Sequence, residues 1–223
     1  MKNTFFSILA VFVVIGLGSF VYITRPVSAP TANVQDSFNL GNNATGTMAL
    51  VIDQSKSEAR FSLNELLRGV PTLVVGTTSQ ITGSIIIESG NPFKVKMEEI
   101  KINARTLKTD SSQRDGAISR LILKSEDAAN EFIVFKATEI TNIPETIEKN
   151  KEFSLNITGD LLIKGVTKPV TFVAKATLND DNTWSTVAET NVTYADFGIS
   201  VPNLPFLANV DKVVNLKISL LLR

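Results

Sequence analysis

The stretch from Lys151 to Leu178, KEFSLNITGDLLIKGVTKPVTFVAKATL, constrains the fold more than any other part of the chain. Its apolar residues alternate with polar ones in two blocks, Phe153 to Ile163 and Val170 to Leu178. A period of two is typical of β-strands that bury one face. Because the intervening Lys164–Pro169 segment contains a glycine and a proline, the stretch predicts a long β-hairpin. Such a hairpin is stable only against further strands, so we expect a β-sheet domain.

Alternating segments recur along the chain. They predict strands around Ala59–Leu63, over Ile81–Glu88, through Val95–Ala104, over Phe132–Ile140, over Thr183–Val192 and over Val213–Leu222. The apolar residues change parity within the third of these, which predicts a bulge or bend near Glu98 and Glu99. We expect turns at Gly76–Ser79 and Asn179–Asn182, and a short helix or loop at Glu65–Val70.

One segment departs from the strand pattern. Ile118, Leu121 and Ile122 lie at helical spacing, so we expect a helix over about Ser112–Leu123, with Asp110 or Ser111 as its N-cap. About eight strands with short connections and one helical excursion predict an all-β, mostly antiparallel fold. Such a set of strands either closes into a barrel or stacks as a sandwich.

The N-terminal part of the chain predicts a membrane anchor. Phe5–Ile23 is a run of 19 residues without a charge, and at about 1.5 Å per residue a helix of this length spans the bilayer core. Lys2 before it and Arg25 after it weakly favour a cytoplasmic N-terminus. The alternative is a signal peptide cleaved after Val27-Ser28-Ala29. The preferred organisation is a membrane helix in residues 1–23, a flexible linker in 24–47 and a barrel domain in 48–223 outside the cytoplasmic membrane.

Composition excludes several classes of function. The 22 basic and 22 acidic residues give no net positive field, so we expect no nucleic-acid partner. The chain contains neither Cys nor His, which removes thiolate catalysis, the usual acid–base residue near neutral pH and the commonest transition-metal ligands. We therefore expect no metal site, no catalytic cofactor and no enzymatic activity.

The hairpin segment NITGDLLIKGVTKPVTF, residues 156–172, is similar to a signature segment of the YceI-like family, lipocalin-like proteins known for binding polyisoprenoids. Further blocks resemble that family in the same order: LVIDQSKSEARFSL, VVGTTSQITGSIIIE, INARTLKTDSSQRD, and YADFGISVPNLP with VDKVVNLKISL. The likeness covers about Met48 to Arg223. The chain departs from the commoner pattern at Ala128 and Ala129, where aromatic residues are usual, and at Asn64, near which a His is often present.

The resemblance implies an eight-stranded antiparallel lipocalin-like barrel that holds a long apolar molecule, such as an isoprenoid quinone or a polyprenol, outside the cytoplasm in the bacterial periplasm or at the cell surface. The candidate ligand wall consists of Phe61, Leu63, Phe153, Leu155, Ile157, Leu161, Ile163, Val170, Phe172, Leu216 and Ile218. The alternative is that these side chains fill a closed interior and the barrel is a structural or interaction module. Arg114, Asp115 and Asp110 form either a clamp for a ligand head group or the capping cluster of the predicted helix.

Overall fold

The computed structural model describes residues 28–31, 47–88, 94–201 and 207–223. In these parts of the chain the strands are β1 (Thr47–Val51), β2 (Glu58–Leu67), β3 (Val70–Thr78), β4 (Ile81–Thr82), β5 (Ser84–Glu88), β6 (Lys94–Met97), β7 (Ile100–Asn103), β8 (Phe132–Thr141), β9 (Phe153–Ile163), β10 (Val166–Leu178), β11 (Trp184–Thr193), β12 (Leu207–Ala208) and β13 (Val213–Leu222). One α-helix, α1 (Ser112–Ala117), interrupts them.

These strands occupy eight positions around an antiparallel barrel. The first position is shared by β1 and β2, the second by β3, β4 and β5, and the third by β6 and β7. The strands β8, β9, β10, β11 and β13 fill one position each. The ring returns to its start because β13 pairs with β2, while Arg223 and Val51 exchange backbone hydrogen bonds of 3.0 and 2.8 Å. The predicted eight-stranded antiparallel barrel is confirmed, and the sandwich alternative is wrong.

The ring of described strands is interrupted between β6 and β8. The strand β6 pairs only with β5, and the second half of β8 pairs only with β9, so no backbone ladder joins β6 to β8. The predicted bend at Glu98 and Glu99 is confirmed, because these two residues separate β6 from β7. The barrel is therefore nearly closed rather than continuous.

The central hairpin of β9 and β10 has a tighter turn than the sequence predicts. Ile163 pairs directly with Val166, and the two turn residues Lys164 and Gly165 have φ angles of 50° and 74°. Two consecutive residues with positive φ are typical of a type I′ turn, whose twist matches that of the strands. The predicted break over Lys164–Pro169 is thus too long, since Pro169 lies within β10 opposite Asp160.

Two further predictions between β2 and β4 are wrong. Glu65–Val70 is neither helix nor loop, because β2 continues to Leu67 and turns at Arg68 and Gly69 directly into β3. The predicted turn at Gly76–Ser79 fails because Gly76 lies inside β3. A Cβ atom at Gly76 would lie 2.1 Å from Cε1 of Phe61, so this glycine makes room for the ring on the neighbouring strand.

The predicted helical excursion is confirmed. The helix α1 is continued by a π-helical turn at Ile118–Ile122, and Ser111 caps α1 by accepting a hydrogen bond from the N–H of Arg114 at 3.4 Å. Asp115 is buried and accepts hydrogen bonds from the N–H and hydroxyl of Thr109 at 2.7 and 2.8 Å. Arg114 contacts Asp110 and Glu65. These contacts support the capping interpretation of the cluster. Short 3₁₀ turns complete the described secondary structure at Gln54–Lys56, Ala104–Thr106, Ala128–Asn130 and Tyr194–Phe197.

The predicted membrane helix in residues 1–23 lies outside the described residues. Within the described ranges, no helix has the length and apolar character needed to cross a bilayer.

Candidate ligand-binding cavity

The interior of the barrel contains a cavity of about 180 Å³. Alternation along the strands directs one set of side chains inward, and nearly all of those that line the cavity are aliphatic or aromatic. The polar lining residues among those described are Arg60, Thr186 and Lys217. Lys217 bonds Glu189 at 2.6 Å on the outer surface, so its charge is neutralised outside the barrel. The cavity is therefore an apolar site suited to hydrocarbon.

Nine of the eleven predicted wall residues line this cavity. They are Phe61, Phe153, Leu155, Ile157, Leu161, Ile163, Phe172, Leu216 and Ile218. The other two, Leu63 and Val170, do not line it. Leu63 pairs with the buried Val74, and Val170 packs against the hydrophobic core on β10, which contacts the Tyr194–Phe197 turn. Phe197 of that turn is 1% exposed and belongs to the same core.

Some lining residues were not among the predicted set. From β8 come Ile133 and Phe135, and from β11 comes Ala188. The alternation of the predicted strand over Phe132–Ile140 contained the signal for Ile133 and Phe135, because both have the parity of an inward face. The rings of Phe135 and Phe172 meet edge to face with centroids 5.1 Å apart, so the two strands contribute to one aromatic contact in the wall.

Three alanines create part of the empty space. Ala59, Ala176 and Ala188 line the cavity from β2, β10 and β11 and are at most 5% exposed. A larger side chain at any of these positions would project into the cavity, because the Cβ atom of each already lies in its wall. The cavity is thus maintained by small residues on strands that otherwise carry large ones.

Side chains from strand ends and loops line the cavity towards both ends of the barrel. At one end Leu107 and Ile163 line it, from the segment after β7 and from the end of β9. At the other end lie Ile143 and Ile147 from the loop between β8 and β9, together with Trp184. Trp184 also contacts Phe153 edge to face, with ring centroids 6.3 Å apart. The only Trp of the chain therefore reports directly on this end of the cavity.

A separate buried cluster attaches the N-terminal linker to the barrel. Glu131, which is 2% exposed, accepts hydrogen bonds from the N–H and hydroxyl of Thr31, both at 2.8 Å, and from Asn103 at 3.0 Å. Its other oxygen bonds Arg105 at 3.0 Å. Burial by itself raises the pKa of Glu131, but the hydrogen bonds from Thr31 and Asn103 and the charge of Arg105 outweigh it and hold the pKa below 4.5. The predicted linker is thus attached to the barrel at Thr31.

The described residues offer no arrangement suited to metal binding or to acid–base chemistry in the cavity. No group of three or more acidic side chains within the described ranges is positioned to hold a metal ion. Among the described lining residues of the cavity none is a carboxylate. What the arrangement provides is an enclosed hydrocarbon-like environment.

Fold and cavity together define a class of small antiparallel β-barrels with an apolar interior. The chain belongs to the YceI-like domain family, whose model matches residues 50–222. It is 29% identical over 147 residues to Protein YceI of Escherichia coli O157:H7, covering 64% of this chain and 72% of that protein. It is 30% identical to a UPF0312 protein of Enterobacter sp. strain 638, covering 64% of this chain and 71% of that protein.

Solved structures share the fold at lower sequence identity. A polyisoprenoid-binding domain from Saccharophagus degradans superposes with a TM-score of 0.61 at 12% identity, covering 78% of this chain and 97% of that one. BcnA of Burkholderia cenocepacia superposes with a TM-score of 0.57 at 15% identity, covering 76% of this chain and 98% of that one. At these identities the likeness concerns the barrel itself.

Proposed function

We propose that this protein binds an isoprenoid or another long apolar, lipid-like molecule inside its barrel, and that it carries or sequesters that molecule outside the cytoplasmic membrane. The observation that carries the proposal is the continuous apolar lining of the interior cavity. A pocket lined by hydrocarbon side chains recognises ligands by burial rather than by charge.

Burial of an isoprenoid in such a cavity is strongly favourable. Each buried CH₂ group contributes about 0.8 kcal/mol, so one five-carbon unit contributes roughly 3–4 kcal/mol before ordering costs. A few units therefore suffice for tight binding. The related domain from Saccharophagus degradans is described as polyisoprenoid-binding, and its shared barrel supports the same ligand class here.

We infer that residues 5–23 anchor the chain in the cytoplasmic membrane as a single helix, with the barrel on the extracytoplasmic side. The uncharged run and the positions of Lys2 and Arg25 support this orientation. The attachment of Thr31 to Glu131 leaves only a few residues between the proposed membrane helix and the barrel. A carrier held this close to a bilayer has direct access to lipid-like molecules.

Binding rather than catalysis is the role that the cavity supports. Its described lining has no carboxylate, and the chain has no His to transfer protons near neutral pH. A bound quinone or polyprenol is accordingly a ligand in this proposal and not a catalytic cofactor.

The test is to identify what the purified protein contains. The full chain is purified from membranes, extracted with organic solvent and analysed by mass spectrometry, and the empty protein is then titrated with a polyprenol and an isoprenoid quinone. The matched variants are Ala188→Phe, which fills the cavity, and Thr171→Phe, which adds the same ring at an exposed position of β10. We expect extracted or added isoprenoid with the native chain and Thr171→Phe, and at least tenfold less with Ala188→Phe.

The competing function is a structural or protein-interaction module with a packed barrel. The specific observation in its favour is the cavity volume of about 180 Å³, which is below the roughly 300–1,000 Å³ of typical ligand pockets. This function predicts no apolar ligand in any preparation and equal behaviour of Ala188→Phe and Thr171→Phe in every binding assay. That pair of results would replace the carrier proposal.

A further inference from the structure

The interruption between β6 and β8 forms a lateral slit in the barrel wall. One side of the lateral slit is β6, and the other is the Lys136–Ile140 part of β8. In the described chain no backbone hydrogen bond crosses it, because β6 is paired only with β5 and this part of β8 only with β9. The space between the two edges measures about 540 Å³.

Two local bends in the backbone produce the lateral slit. On one side the wall breaks at Glu98 and Glu99, so β6 leaves the line of β7. On the other side β8 carries a bulge between Ala137 and Glu139, so Thr138 is skipped in the backbone register with β9, although its hydroxyl donates a hydrogen bond to the Thr158 carbonyl at 3.2 Å. Bulges bend a strand and end its regular pairing. The two edges therefore diverge after β7, which is still paired with β8.

A glycine on β9 holds the bulge in place. Gly159 lies opposite Ala137, and a Cβ atom at Gly159 would lie 2.4 Å from the carbonyl oxygen of Lys136. The backbone of β8 therefore lies closer to β9 than any residue type other than glycine at position 159 would allow. The bent course of β8 along the lateral slit is thus part of the packed structure of the barrel.

The lateral slit is continuous with the interior cavity. Val95, Met97 and Ile140 line both the slit and the cavity. All three are half-buried, so each presents apolar surface on the boundary between solvent and interior. The outer rim is polar and includes Lys96, Lys101 and Lys136 with Glu98, Glu99 and Glu139. An apolar path bordered by hydrated groups therefore leads from the outside to the cavity.

Other routes into the cavity require more disruption. Towards the ends a ligand would have to displace side chains that line the cavity, Leu107 and Ile163 at one end and Ile143, Ile147 and Trp184 at the other. Between paired strands a ligand would have to break ladder hydrogen bonds, for example those that join all of β9 to the Val166–Ala176 part of β10. Separation of β6 from β8 breaks none of these ladders.

We propose that the lateral slit between β6 and β8 is the entrance through which the apolar chain of the ligand passes sideways into the barrel. This inference rests on the proposed function, since it assigns the route by which that ligand reaches its cavity. Val95, Met97 and Ile140 form the apolar boundary between the entrance and the cavity. The charged rim keeps the entrance hydrated and disfavours association with the apolar surfaces of other proteins.

The test is to link the two edges of the entrance covalently. The chain has no Cys, so the double variant Lys96→Cys/Thr138→Cys introduces the only two thiols, both at exposed positions. A bis-maleimide with an internal disulfide links them, and a reductant reopens the link in the same sample. The control is Asn191→Cys/Asn215→Cys, which links a directly opposed pair on β11 and β13 whose amide groups are 3.0 Å apart.

The measurement uses the full chain in phosphatidylcholine vesicles and a ubiquinone with two isoprene units as the probe. Quinones quench indole fluorescence, so the rate at which Trp184 is quenched reports uptake into the cavity, and Ala188→Phe supplies the background. We expect linkage across the lateral slit to slow uptake at least tenfold, and reduction to restore the rate. Linkage between β11 and β13 should leave the rate unchanged.

The possible failures are distinguishable. An unchanged uptake rate after complete linkage, with mass spectrometry as the check of completeness, overturns the entrance and leaves the ligand-binding proposal intact. Absence of quenching above the Ala188→Phe background in the unlinked protein overturns the proposed function, and the entrance with it. Equal slowing by both links would also reject the entrance, because it would show that uptake depends on general flexibility of the barrel.

Discussion

Removal of the Glu131 carboxylate should strongly destabilise the fold, because this buried group is the shared partner of three side chains. In Glu131→Ala the buried Arg105, whose side chain is 8% exposed, loses its ionic partner at 3.0 Å. Asn103 and Thr31 lose an acceptor at the same time. Removal of one partner from a buried ion pair costs about 3–5 kcal/mol, because the remaining charge is left uncompensated. For a domain of this size, each kcal/mol lowers Tm by about 2–4 °C.

The expected result is therefore a Tm of Glu131→Ala that lies about 6–20 °C below that of the native chain. Thermal unfolding of the full chain is followed by circular dichroism in the strand region. The control is Glu148→Ala, which removes a 2.8 Å contact with Lys151 at positions 62% and 68% exposed. Exposed pairs contribute at most about 1 kcal/mol. If the two variants melt within 2 °C of each other, the assignment of Glu131 as a buried ionic centre is refuted.

Three further predictions follow from the same structure. Because the pKa of Glu131 is held below 4.5 in the folded protein, stability from this group is present above that pH and falls as the pH drops through the folded pKa; Glu131→Gln should flatten the acid side of a Tm-against-pH curve, and parallel curves would contradict the assignment. Gly159→Ala should lower the free energy of unfolding, measured in urea, by about 1–3 kcal/mol, because its Cβ would clash with the Lys136 carbonyl oxygen. A decrease below about 0.5 kcal/mol would show that the β8 backbone shifts at little cost to accommodate the methyl group. Trp184→Phe should retain isoprenoid binding, measured by mass spectrometry, but lose the fluorescence response. Loss of both would show that the indole ring itself is required for ligand affinity.

Strand alternation was sufficient to predict the antiparallel strands, because burial of one face leaves a period-two pattern wherever pairing is regular. The choice of a barrel over a sandwich rested on the resemblance to the YceI-like family. The hairpin of β9 and β10 has the alternation of burial that the sequence indicates, and the alternate residues Leu216, Ile218, Leu220 and Leu222 of β13 line the cavity. The change of parity at Glu98 and Glu99 was also readable, because a bend shifts the inward face by one residue. Nine of the eleven wall residues that this pattern supplied line the cavity.

Glycine caused the main errors. Gly76 was interpreted as a turn residue, yet it lies in β3 beneath the ring of Phe61. A glycine required by a side chain on a neighbouring strand is indistinguishable, in sequence, from one required by backbone conformation. The same limit applies to Gly159, whose role depends on the course of β8. The position of Val170 outside the cavity lining was unpredictable for a related reason, because it packs against a core that includes residues distant in sequence, such as Phe197.

The attachment of Thr31 to Glu131 was not predictable, since no local pattern relates two residues separated by 100 positions. A linker rich in small and polar residues has the composition of a flexible segment. Its contact depends on a carboxylate that the fold buries beside Arg105 and Asn103. Tertiary structure thus supplies a partner that composition alone does not reveal.

The small cavity and the lateral slit are related through the expansion that a long ligand requires. A cavity of about 180 Å³ must enlarge to accept several isoprene units, and the wall enlarges most easily where no ladder joins its strands. Amides of β6 that face the slit should therefore exchange with deuterium much faster than those of Val173–Ala176, the part of β10 that pairs with both β9 and β11. Bound isoprenoid should slow exchange at β6 more than at β10. Equal protection of the two strands in the empty protein would show that the barrel does not open preferentially at the slit. Expansion of the cavity would then have to come from the ends of the barrel.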